Sequence, residues 1–152
     1  MMNNLNTLYT EQIFLHDKHP HHAGLREPFA AEVAHVNPVC GDAITLRIHL
    51  GERDGEQTIE DISYEAEGCA MSRASASMLA DNLIGMTLAE ARGIVEHMEH
   101  VMTSRGSEAG DPDKIGDAVA LAGAAKFPAR VKCVLMSWKA FRAALLEAGI
   151  EL

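Results

Sequence analysis

The sequence is poor in cysteine and has no CxxC pair: its three cysteines stand alone at positions 40, 69 and 133. In a reducing compartment such usage is no disulfide framework. It leaves three alternatives: apolar core fillers, a metal site or reactive thiols. Excess positive charge is also missing. Thirteen Lys and Arg against 22 Asp and Glu give a formal net charge of -9. Such a surface repels phosphate backbones and excludes nucleic acid as a partner, whereas a basic patch on another protein suits it. No apolar run reaches the length of a membrane span, which excludes a membrane partner. The opening "MMNNLNTLYTEQ" lacks the basic start and apolar core of a signal peptide, so the expected location is the cytoplasm. No repeat, low-complexity tract or linker divides the chain. With 152 residues, 47% of them hydrophobic, the expectation is one domain over 1–152 with a substantial core.

Periodicity supplies the elements. Leu5, Leu8, Tyr9, Gln12 and Ile13 recur at helical spacing, which predicts a first helix over residues 5–17. Pro20 and Gly24 then break the chain. Ile44, Leu46, Ile48 and Leu50 alternate with Thr45, Arg47 and His49, the pattern of a half-buried strand. Asp54-Gly55 makes a turn into a second strand near 58–66, and 31–36 supplies a third. Small residues fill a helix over 70–84 that stops at Gly85. Thr87 and Glu90 form a capping box for a helix over about 87–102. A short helix is expected over 113–123, and a last helix from Pro128 with the stripe Phe127, Val131, Val134, Trp138, Phe141 and Leu145. The order of elements gives an α+β fold: a small antiparallel three-stranded sheet with helices packed on one face.

Each cysteine falls at a junction or off an apolar stripe. Cys40 and Asp42, taken as positions i and i+2 of an extended segment, project to the same side, with Gly41 free to bend between them. Cys69 stands where a strand gives way to a helix, whose free amides favour a thiolate. Cys133 lies about 100° around its helix from Val134 and so flanks the stripe. Arg130 and Ser137 are its neighbours at i-3 and i+4. Three thiolates and a carboxylate complete a tetrahedral zinc shell. With long separations and no CxxC pair, spacing alone favours buried apolar fillers and leaves the metal site open as the sharper alternative.

Four segments together resemble one family. "NPVCGDAITL", "EGCAMSRASASML", "AKFPARVKCVLMSWKAF" and "LYTEQIFLHDKHPHHAG" occur in order along nearly the whole chain. They are similar to the motifs of SufU, the zinc-dependent sulfurtransferase family of iron–sulfur cluster assembly, related to the IscU scaffold. The resemblance implies one SufU/IscU-like domain with zinc on Cys40, Asp42, Cys69 and Cys133. It implies that Cys40 accepts persulfide sulfur from a SufS-type cysteine desulfurase, which it also activates, and that the sulfur passes to a downstream Suf assembly scaffold. A histidine of that partner takes over one zinc position and frees Cys40. Arg130 corresponds to an arginine beside the site, with a supporting role in catalysis. A monomer is the default state.

Two features separate SufU from IscU. Lys132 stands where IscU-type chains carry a histidine before the last cysteine, and "TSRGSEAGDPDKIGDAVALAG" supplies a longer stretch between the last helices. The alternative is an IscU-like scaffold that assembles a transient [2Fe–2S] cluster on the same ligands. The loop "HDKHPHHAG" departs from the family: His16 matches it, whereas His19, His21 and His22 do not. The expectation for those three is exposed and merely polar side chains, against a second metal site.

Overall fold

The computed structural model describes residues 3–152, with side chains from Thr10 onward. Along the chain run helix α1 (Asn3–Lys18), strands β1 (Ala31–Asn37), β2 (Asp42–Arg53) and β3 (Glu56–Glu67), and helices α2 (Ala70–Leu83), α3 (Leu88–Thr103), α4 (Pro112–Ile115) and α5 (Pro128–Glu147). The three strands form one antiparallel sheet in the order β1-β2-β3. The expected fold class is therefore the observed one. No helix among the described residues is long and apolar enough to cross a membrane.

The β2–β3 turn follows from its two residues. Asp54 and Gly55 both take positive φ, 53° and 82°, the twist that a two-residue hairpin needs. Ile44, Leu46, Ile48, Ile62 and Tyr64 turn to one face of the sheet and are almost fully buried there. α5 lies against β1 and β2, and α2 against β3. The small side chains of α2 let α5 come close. Ser75 Oγ donates to the Val134 carbonyl at 2.7 Å and accepts from Trp138 Nε1 at 3.0 Å. A buried indole N–H is thereby satisfied in the middle of the core.

The structure corrects the sequence reading at four places. The expected helix over 113–123 is a four-residue α4 followed by a 3-10 helix, Gly116–Lys126. Gly116 at φ 50° breaks the α geometry between the two. Phe127 was placed on the apolar stripe of α5, yet it stands outside the helix at its N-cap and is 50% exposed. The strand pattern assigned His49 to the solvent face, but it is 8% exposed. The chain from Ala23 to Ala30 crosses that face and covers it, bonded to Tyr64 at one end and to Ile48 at the other. His49 donates from Nδ1 to the Pro28 carbonyl at 2.6 Å and accepts from Ser63 Oγ at Nε2, 2.7 Å away. Finally, the β2–β3 register shifts after His49, where Leu50 pairs with Ile59, so the alternation does not continue unbroken to Leu50. The stripe positions Leu5, Leu8 and Tyr9 lie outside the described side chains.

Arg26 pins the crossing segment. Its guanidinium donates to both oxygens of Asp61, at 2.6 and 3.1 Å, and to the carbonyls of His22, Gly24 and Ile62. The hydrogen bond from Arg26, with its charge, outweighs burial and holds the Asp61 carboxyl below the usual carboxylate range. A depressed carboxylate stabilises the fold above its unfolded value of about 4 and loses that contribution as pH falls through the folded value. Asp61→Asn is expected to be less stable than the parent at neutral pH. The gap should narrow below about pH 4, as read by urea midpoints over that range.

Candidate metal centre

The β1–β2 hairpin decides where the first two candidate ligands sit. Asn37 pairs with Asp42 in the ladder, so residues 38–41 form the loop between the strands. Cys40 is thus on a hairpin tip and not on an extended segment, which corrects the expectation. The tip folds because Cys40 N–H reaches back to the Asn37 carbonyl at 3.3 Å and Gly41 takes φ 70°. Cys40 is exposed, whereas Asp42, the first residue of β2, is 2% exposed.

Cys69 and Cys133 come from the two helices packed behind the sheet. Cys69 is the N-cap of α2, and its sulfur accepts from the Ser72 amide at 3.4 Å. Cys133 lies in the second turn of α5, buried, with its sulfur 2.7 Å from Cys40 Sγ. A disulfide would require about 2.05 Å, and both thiols are free.

Cys40, Asp42 and Cys133 each offer a donor atom within 4.8 Å of the others. Cys69 stands just outside that group, with its sulfur 3.9 Å from Asp42 Oδ2. Ligands at about 2.3 Å around a tetrahedral ion stand about 3.8 Å apart. Cys69 and Asp42 stand near that spacing, Cys40 and Cys133 would have to spread to reach it, and Cys69 would have to move in toward the other three to complete the shell. Arg130 is one turn before Cys133 and exposed, its guanidinium 4.9 Å from the Phe127 ring centre.

Electrostatics favour a cation here. Burial works to raise the Asp42 carboxyl, but the Cys69 amide at 2.9 Å outweighs it together with the Cys133, Ser72 and Cys69 side chains, so the carboxyl is held low. Burial pushes the Cys133 thiol well up, and the neighbouring Cys40 and Asp42 add to the shift. Without a positive charge the cluster keeps a proton on Cys133. A divalent ion held by these residues would replace that proton and take the thiolate as a ligand. The donor chemistry, three sulfurs and one carboxylate oxygen, fits zinc.

Three contributors escaped the sequence reading. Asn37, 7% exposed, donates from Nδ2 toward Asp42 Oδ2 at 3.4 Å and lies 3.6 Å from Cys133 Sγ. The register Asn37↔Asp42 would have revealed it once the hairpin was drawn. Ser72 supplies the amide that caps onto Cys69, at the spacing of an N-cap box. Gly68 takes φ 125°, and a Cβ there would strike the Asp42 carboxylate and its Cα. Only glycine lets the end of β3 pass so close to that carboxylate.

The chain matches the family described as NifU-like N terminal domain over residues 8–134. The chain belongs to this family. Its NifU-like relatives include the zinc-dependent sulfurtransferase SufU of Bacillus subtilis (strain 168), 39% identical over 97% of this chain and 92% of that protein. They also include the iron–sulfur cluster assembly scaffold protein IscU of Streptococcus pyogenes serotype M1, 37% identical over 97% of this chain and 89% of that one. The crystal structure of FiSufU from Fervidobacterium islandicum AW-1 is 30% identical and superposes with a TM-score of 0.74, over 91% of this chain and 97% of that one. The resemblance read from the four sequence motifs and the fold agree with this SufU/IscU membership.

Gly68→Ala tests the close approach. It should destabilise the protein on the order of 1–3 kcal/mol, through both the backbone and the Asp42 collision. Urea denaturation measures the first effect. A fall in bound metal per chain, by elemental analysis, reports the second.

Proposed function

We propose that this NifU-like protein is a zinc-dependent sulfur-transfer protein of iron–sulfur cluster assembly, acting in the cytoplasm as one SufU/IscU-like unit and as a monomer. One observation carries the reading. Cys40 is exposed on a hairpin tip beside Gly41, while Asp42 and Cys133, within 4.8 Å of it, are buried and anchored. Cys40, Asp42, Cys69 and Cys133 are the residues that would hold zinc. Bound there, zinc would keep the thiols deprotonated at neutral pH and protect them from oxidation.

The division of labour follows from anchoring. Asp42 is tied to the Cys69 amide, Cys69 to the Ser72 amide, and Cys133 to a buried helix turn. Among the described residues the Cys40 side chain has only the sulfur contact with Cys133, so it is the side chain that can turn outward at least cost. Its thiolate attacks the outer sulfur of a persulfide on a SufS-type cysteine desulfurase. A new bond joins Cys40 Sγ to that sulfur as the old S–S bond breaks, and the desulfurase cysteine leaves as thiolate. Cys40 then carries the persulfide to a downstream Suf assembly scaffold, and its removal activates the desulfurase for the next turnover. Arg130, exposed one turn before Cys133, offsets the surplus negative charge of three thiolates and a carboxylate, or helps to hold Cys40 once it is released. Val39 and Phe127, 62% and 50% exposed, give the partner an apolar edge beside Cys40 and at the start of α5.

Cys40→Ser should accept no sulfur. Intact mass after incubation with desulfurase and cysteine should show a gain of one sulfur in the parent and none in the variant. A persulfide on Cys40→Ser would reject the assignment.

The similarity to IscU of Streptococcus pyogenes supports a second reading, a scaffold for a transient [2Fe–2S] cluster on the same ligands. Lys132 speaks against it, since its ammonium offers no ligand where an imidazole would stand. Anaerobic reconstitution with iron and sulfide should leave the protein colourless on the sulfur-transfer reading. A stable visible chromophore at one cluster per chain would favour the scaffold.

A further inference from the structure

The histidine-rich loop that the proposed sulfur chemistry leaves unused is folded against α2 in a cluster of its own. His16, at the end of α1, is 2% exposed, with Nδ1 2.7 Å from Ser77 Oγ and Nε2 2.9 Å from Asp117 Oδ2. His21 places its ring 4.6 Å from that of His16 and its Nδ1 2.6 Å from Asp81 Oδ2. Its backbone is held too, with the amide donating to Ser77 Oγ and the carbonyl accepting from Tyr64 OH. His22, at φ 63°, brings Nε2 to 3.4 Å from Asp81 Oδ1. These side chains are thus organised: His21 and His22 are exposed, as expected, yet each is paired with Asp81 and so is more than merely polar.

We propose that His16, His21 and Asp81 form a second metal site, distinct from the cysteine cluster, for a borderline divalent transition ion such as Zn²⁺, Co²⁺, Ni²⁺ or Fe²⁺. A ring nitrogen of each histidine and an oxygen of Asp81 lie within 4.8 Å of one another. Nitrogen and oxygen ligands at about 2.1 Å from a tetrahedral ion stand about 3.4 Å apart, so a modest side-chain adjustment, with His21 and Asp81 spreading from their 2.6 Å contact, closes the set. The donor types select the ion. Two imidazoles and one carboxylate suit first-row transition metals, whereas Mg²⁺ and Ca²⁺ require oxygen. The local charge supports a cation as well. Among the described residues, the ion-pair partners of Asp81 and Asp117 are histidines only, with no Lys or Arg. With neutral imidazoles, two carboxylates stand uncompensated on a chain of net charge -9. His16 is already oriented as a ligand should be, since Ser77 or Asp117 holds whichever ring nitrogen the ion does not use. Asp81 lies twelve residues along from Cys69, about 18 Å along the α2 axis, so the two sites do not share ligands. Bound metal would fasten the loop between α1 and β1 to α2.

The test uses the tag-free chain, first loaded with one equivalent of Zn²⁺ and then titrated with Co²⁺. Zinc holds the thiolates against cobalt, which stands lower in the affinity order. A second equivalent of metal should bind with weak visible bands and no sulfur-to-cobalt charge transfer. His21→Ala and Asp81→Asn should each weaken that equivalent tenfold or more while keeping the thermal midpoint of the metal-free parent within a few degrees. His19→Ala, outside the cluster, should bind like the parent. No second equivalent in the parent overturns the proposal. So does unchanged binding in His21→Ala and Asp81→Asn, or an equal loss in His19→Ala. If the cysteine cluster does not hold zinc, cobalt enters it and announces itself by charge-transfer absorption, which the histidine variants would retain. Failure of the sulfur-transfer reading is thus separable from failure of this one.

Discussion

A carboxylate is buried at the edge of the sheet and kept ionised there, and the arrangement of the cysteines depends on that. Asp42 is 2% exposed, and its charge is sustained by the Cys69 amide, by Asn37 and by nearby sulfurs. A buried anion without such partners would cost several kcal/mol. The chain meets the requirement with three separate pieces: the hairpin ladder brings Asn37 opposite, Gly68 lets β3 pass against the carboxylate, and the start of α2 turns an amide toward it.

The same buried charge accounts for the behaviour of the thiols. Cys133 lies beside Asp42 in a low-dielectric corner and retains its proton strongly. A divalent cation held there would relieve both strains at once, because it would neutralise the carboxylate and displace the proton. Rigidity is graded across the cluster. Helix ends and a strand start hold three of the heads, and a glycine-flanked loop holds the fourth. That gradient is what a site needs if one sulfur is to leave while the others stay.

The two candidate metal sites stand toward opposite ends of α2, and its small residues serve both. Ser75 stitches α5 and its tryptophan to the helix, and Ser77 receives His16 and the His21 amide. Small polar side chains permit close helix approach and still satisfy buried donors. The helix is thus a common spine: the hairpin and α5 gather sulfur ligands at its start, and the α1 loop gathers imidazoles near its end.

By itself the sequence determined the elements whose signals are local. The alternation in β2 as far as Ile48, the Asp54-Gly55 turn, the Thr87–Glu90 capping box and Pro128 at the start of α5 all depend on near neighbours, and each stands where its pattern indicated. The candidate ligands were legible as residue types in quoted motifs, and so was the family. Tertiary structure alone decided the rest. Which three heads meet and which one stands aside is set by packing between elements up to 93 residues apart. Asn37 and Gly68 gained their roles only when the hairpin register and the close pass of β3 placed them against Asp42. His49 was lost to solvent because an irregular segment with no periodicity of its own covers the sheet. The physical reason is range: dihedral preference and side-chain spacing act over a few residues, whereas burial and convergence belong to the whole packed chain.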